Sequence, residues 1–134
     1  MIVADASLIL ELLLNTPLAA QCREIILARG ELVCVPHLLD LEICQVLRRY
    51  VRARELSPRR ASAALADLGD LPLERYEHAL LTSRIWQLRD SVSAYDAAYI
   101  ALAEGLDAPL GTCDERLARS HGHRAQVRVV GSEA

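Results

Sequence analysis

Short apolar runs alternate along the chain with longer stretches in which apolar residues recur every three or four positions, a pattern that predicts strands and helices taking turns. The runs are Ile2-Val3-Ala4, Leu32 to Val35, Leu71 to Glu74, Pro109 to Thr112 and Val127 to Val130. Thr16 followed by Pro17 opens a helix with Leu18, Cys22, Ile25 and Ile26 as its inward stripe and Gly30 at its end. The next helix runs from His37 to Ala53, and Ser57-Pro58 opens another that turns Ala61, Ala64, Leu65 and Leu68 inward. Further helices are expected over Glu77 to Arg89, Ala94 to Glu104 and Glu115 to Ser120. Strands separated by helices pair in parallel through right-handed crossovers, so the expected fold is a three-layer α/β/α arrangement with a mostly parallel central sheet.

Composition narrows this picture. The 134 residues are 52% hydrophobic, which suits a single domain over residues 1–134 that buries roughly two-thirds of its unfolded surface. No apolar run approaches the ~18 residues of a membrane span, and the N-terminus lacks the basic start of a secretion signal, so a cytoplasmic protein is expected. Cys22, Cys34, Cys44 and Cys113 show no C-x-x-C spacing and read as reduced thiols, with Cys113 alone beside a candidate site residue. The net charge of −3 gives nucleic-acid binding no general support. All 15 basic residues are arginine, however, and Arg48, Arg49, Arg52, Arg54, Arg59 and Arg60 crowd together. Arginine's planar fork suits phosphate, although such a cluster is also what a solvated helix end looks like.

The candidate chemistry lies in acids set against apolar runs. Asp5 closes the first strand, Glu42 lies inside a leucine-rich helix, Asp96 stands in Ser93-Ala-Tyr-Asp96, and Asp114 follows Leu110-Gly-Thr-Cys. In parallel sheets the crevice forms at the carboxyl ends of the strands, where Asp5 and Asp114 both fall. Each of Asp5, Asp96 and Asp114 also has an ordinary reading as a helix cap or capping-box residue. Glu42 has none, because an isolated glutamate among leucines is costly to bury. Carboxylates on adjacent strands about 4.8 Å apart repel by roughly 3 kcal/mol at an effective dielectric of 20. Protons or a divalent cation must offset that repulsion, and hard oxygen ligands favour Mg²⁺ or Mn²⁺.

The runs Val3-Ala-Asp5-Ala-Ser7, Pro36 to Glu42, Ser93 to Ala103 and Leu110 to Ala118 together resemble a PIN-domain ribonuclease of the VapC toxin type, in that family's order and across essentially the whole chain. Gly111 and Cys113 depart from the residues common around the matching threonine. The resemblance implies a Mg²⁺- or Mn²⁺-dependent endoribonuclease, dimeric, and silenced by a cognate VapB-like antitoxin. Carried over by position, Asp5 and Asp96 would be principal metal ligands, and Glu42 and Asp114 would complete the catalytic pocket. Ser7 and Thr112 would be supporting hydroxyls behind them.

Cleavage would then be metal-assisted hydrolysis by in-line attack of water, leaving 5′-phosphate and 3′-hydroxyl ends. No histidine nucleophile or base is required, and His37, His78, His121 and His123 form no triad or zinc pair in sequence. Arg48, Arg49, Arg52 and Arg84 are the candidate RNA contacts. A catalytically inactive PIN scaffold serving as a protein-binding or regulatory module is the alternative reading. A phosphatase is disfavoured because Asp5-Ala-Ser7 lacks a second aspartate, and a receiver domain because the chain has no lysine.

Overall fold

The computed structural model describes residues 1–27 and 30–131. Five strands, β1 (Ile2–Ala4), β2 (Val33–Pro36), β3 (Leu73–Tyr76), β4 (Leu110–Thr112) and β5 (Val127–Val129), form one parallel sheet in the order β3-β2-β1-β4-β5. The register sets Val3 beside Cys34 on one flank and beside Leu110 on the other. β1, β2 and β4 are buried along their length, as expected for strands covered on both faces, whereas the edges β3 and β5 expose Glu74, Arg75 and Arg128.

Chain order along the sheet dictates the layers. The path moves from β1 outward to β3, then jumps back to β4 and continues to β5. Right-handed crossovers therefore place the helices of the two halves on opposite faces, a three-layer α/β/α fold. The first half carries α1 (Ala6–Leu13), α2 (Ala19–Leu27), α3 (Leu38–Arg52) and α4 (Pro58–Asp70), with α1 packed on α2, α3, α4 and β4. The second carries α5 (Thr82–Gln87), α6 (Ala94–Leu106) and α7 (Glu115–Ala118), with α6 lying across β1, β2 and β4. The reversal of strand order falls between β1 and β4, where open α/β sheets form their ligand crevice.

Several expected boundaries move for local reasons. Pairing of β3 begins at Leu73, opposite Val33, because the preceding Pro72 has no N–H to donate. Thr16 and Pro17 form a turn, in which Thr16 Oγ1 accepts the Leu18 N–H at 3.3 Å, and α2 starts only at Ala19. The expected approach of that helix to Gly30 crosses residues 28–29, which lie outside the described residues. The helix expected over Glu77 to Arg89 is instead a 3-10 turn over His78–Leu80 followed by α5. Here the His78 ring accepts the Leu38 N–H at 2.9 Å, so it closes the start of α3. Gly111 is explained by close approach, since a Cβ there would meet Leu8 Cδ1 at 2.9 Å.

Candidate active site

Asp5 sits where β1 gives way to α1, and its carboxylate does the work of both readings of the sequence. Its Oδ1 accepts the Leu8 N–H at 3.1 Å, capping α1, and the Ser7 hydroxyl at 2.6 Å. Its Oδ2 accepts a short bond from the Thr112 hydroxyl at the end of β4. Thr112 Oγ1 in turn accepts the Asp114 N–H at 3.0 Å, and Ser7 Oγ accepts the Cys113 N–H at 2.9 Å. A closed set of hydrogen bonds thus ties the carboxyl ends of β1 and β4 together. Asp5 is only 7% exposed, and burial pushes its carboxyl above the usual range despite these donors.

The other acids converge on this point from separate elements. Glu42 projects from α3, and its Oε1 accepts the hydroxyl of buried Tyr99 on α6 at 2.6 Å. Burial raises the Glu42 carboxyl, and the nearby charges of Asp5 and Asp96 raise it further. Asp96 is the third residue of α6, positioned by Ser93, whose hydroxyl accepts the Asp96 N–H at 3.1 Å. Its carboxyl is raised by burial first and by Asp114 second. Asp114 behaves differently. It caps α7, and Arg116 grips it through Nη2 at 3.0 Å and Nε at 3.3 Å, which holds its carboxyl below the usual range.

These groups sense one another's charge, yet among the described residues no three acids, histidines or cysteines close into a finished cation cage. Each acid has its own partner: Asp5 is engaged by hydroxyls, Glu42 by Tyr99 and Asp114 by Arg116. The donor set nonetheless fits a hard cation. Its atoms are carboxylate oxygens, Asp5, Glu42 and Asp96 are held at raised pKa, and Mg²⁺ commonly binds through one or two carboxylates while keeping its remaining waters.

The expected RNA-contact arginines separate. Arg49 shares a groove of about 390 Å³ with Glu42, Gln45 and Tyr95. Arg48 and Arg52 line a different groove, between α3 and α4, with Cys44, Val51 and Leu65. Arg84 makes a two-pronged pair with Glu104 at 2.7 and 3.0 Å, where the Glu104 side chain is 3% exposed, so its fork is committed to the fold. Sequence reasoning missed Tyr99 and Arg116 as partners of the acids. Their signals were spacing alone: Tyr99 follows Asp96 by one helical turn, and Arg116 lies two residues beyond a helix-capping aspartate.

The PIN domain family profile matches residues 2–121. The chain is 42% identical over 131 residues to Ribonuclease VapC12 of Mycobacterium tuberculosis, covering 97% of this chain and 99% of that protein. It is also 42% identical over 130 residues to Ribonuclease VapC9 of the same organism, covering 97% and 98%. Among solved structures, a chain of VapBC2 from Rickettsia felis bound to a DNA fragment from their promoter superposes with a TM-score of 0.70 at 14% identity. That likeness covers 97% of this chain and 99% of the other, and shows the shared fold.

Proposed function

The chain belongs to the PIN-domain family, and from that premise we propose that it is a VapC-type endoribonuclease that hydrolyses RNA phosphodiester bonds with the help of Mg²⁺ or Mn²⁺. The observation that carries this reading is the gathering of Asp5, Glu42 and Asp96 from β1, α3 and α6 at the strand-order reversal, all with carboxyls raised by burial. A stable fold without a cationic ligand has little reason to maintain such mutual repulsion.

In this reading Asp5 and Asp96 hold the cation, with Glu42 and Asp114 completing the set. A bound divalent ion would supply a water ionised near neutral pH and charge compensation at the phosphate. Ser7 and Thr112 fix the Asp5 oxygens in place, and Tyr99 fixes Oε1 of Glu42. Water oxygen bonds to phosphorus as the P–O3′ bond breaks and the departing oxygen takes a proton, giving 5′-phosphate and 3′-hydroxyl ends.

Partners follow from the same reading: an RNA substrate in the cytoplasm, a VapB-like antitoxin that silences cleavage, and a second copy of the chain. No helix among the described residues is long and apolar enough to cross a membrane. The deciding experiment incubates single-stranded RNA with Mn²⁺ and either the wild type or Asp5→Asn. Cleavage by the wild type alone, with 5′-phosphate ends, is expected. RNA left intact by the wild type, or 2′,3′-cyclic phosphate ends, would defeat the proposal.

A further inference from the structure

A cavity of about 600 Å³ opens beside Asp96. One wall is the turn leading into α6, with Asp90, Ser93 and Asp96. The other is α7 and the residues after it, with Arg116, Arg119 and His121. This volume lies within the range of sites that enclose small ligands, about 300–1,000 Å³. The cavity therefore sets Asp96, one of the four candidate acids, and a pair of arginines around one continuous space.

Those arginines are free to act. Their side chains are 81% and 71% exposed, and among the described residues each pairs with a near neighbour in sequence, Asp114 at 3.0 Å for Arg116 and Glu115 at 3.9 Å for Arg119. Such exposed pairs are weak in water and yield readily to a competing anion. Other arginines are less available: Arg84 is fixed on Glu104, Arg60 donates to the Leu13 carbonyl at 2.9 Å, and Arg75 is paired with Asp40 at 2.8 Å. A polyanion approaching Asp96, Asp114 and Asp90 meets a repulsive field, so cations inside the same cavity are what allow its phosphates to enter. Arg116 already presents two nitrogens to a carboxylate, and the same planar fork fits a phosphate edge.

We propose that this cavity is the RNA-backbone subsite: Arg116 exchanges Asp114 for a phosphate flanking the cut bond, and Arg119 holds the neighbouring phosphate. The inference rests on the endoribonuclease reading and deepens it by stating where the strand lies. It moves the main backbone contacts from α3 to α7.

The test measures binding rather than turnover. A short fluorescein-labelled single-stranded RNA is titrated by anisotropy with the full-length Asp5→Asn protein in Mg²⁺ at a series of NaCl concentrations. Arg116→Ala and Arg119→Ala should each reduce the slope of log K against log salt by about 0.7, the value for one single-strand phosphate contact. Arg119→Lys should keep the parental slope, because it keeps the charge, and an Arg48→Ala, Arg52→Ala double variant should leave it unchanged. Unchanged slopes for both Arg116→Ala and Arg119→Ala, or a loss confined to the Arg48, Arg52 variant, would overturn the subsite. Failure of the endoribonuclease reading is seen separately, as intact RNA with the Asp5-bearing wild type and Mn²⁺, while the salt slope still reports on the cavity.

Discussion

Thr112 is wholly buried, gives its hydroxyl proton to Asp5 and accepts the Asp114 N–H, so one side chain links two of the acids. Replacing it by valine keeps the shape but strands a buried carboxylate oxygen and a backbone donor, which typically costs about 1–3 kcal/mol. Urea denaturation of Thr112→Val should show that loss as a lower midpoint with an unchanged m-value. The carboxyls of Glu42 and Asp96 are raised by burial above 4.5 and 3.8, the values they start from. A raised carboxyl contributes stability that is whole below about pH 4 and is lost as pH rises through the folded value. A Glu42→Gln, Asp96→Asn double variant should therefore melt above the wild type at pH 7.5 in EDTA, by an amount on the order of 1 kcal/mol. That advantage should shrink as the buffer approaches pH 4, and a pH-independent difference would contradict the sign. At this scale the acids were legible because carboxylates beside apolar runs are conspicuous. Tyr99 and Arg116 were not, since an amphipathic tyrosine and an exposed arginine look ordinary until their partners are in view.

Elements position these side chains, and α6 does so most directly. Ser93 caps it, and Asp96 follows within the first turn. Ser93→Ala should cost about 1 kcal/mol of stability and weaken Mn²⁺ binding, as read by calorimetry, because the turn that aims Asp96 loosens. A stability loss with unaltered Mn²⁺ affinity would separate the cap from the site. Helix periodicity made α3 and α4 readable, since each has a clear apolar stripe, whereas α6 buries every residue from Ala97 to Ala103 and was marked by its Ser93 cap. Periodicity failed over Glu77 to Arg89, where the 3-10 turn and the short α5 follow closely on the end of β3 and leave no room for a period to develop. α1 carries little polar contrast, with Glu11 as its one charged residue, so its existence was implied chiefly by the aspartate that caps it.

The whole molecule owes its site to strand order. Alternating periods were enough to infer a parallel three-layer fold, but not which strands are neighbours, because adjacency depends on crossovers that leave little local signature. Only the observed pairing of β1 with β4 brings Asp5 to Thr112. Arginine placement was similarly hidden, since a cluster in sequence spreads around a helix: Arg49 shares the Glu42 groove while Arg48 and Arg52 face α4. If the gathered acids bind a cation only in the folded state, Mn²⁺ at a hundredfold excess over its dissociation constant should stabilise the protein by about 2.7 kcal/mol. Thermal melts should show that rise in the wild type and its absence in an Asp5→Asn, Asp96→Asn variant; equal shifts in both would place the ion elsewhere.

One carboxylate, that of Asp5, both starts a helix and joins two central strands before any chemistry begins. A lineage drifting toward inactivity would thus damage its own architecture by discarding this residue. Silent descendants that remain intact should keep Asp5 and lose peripheral groups such as Asp114 or Arg116, so an unaltered aspartate at the first strand's end is poor proof that a relative still cuts.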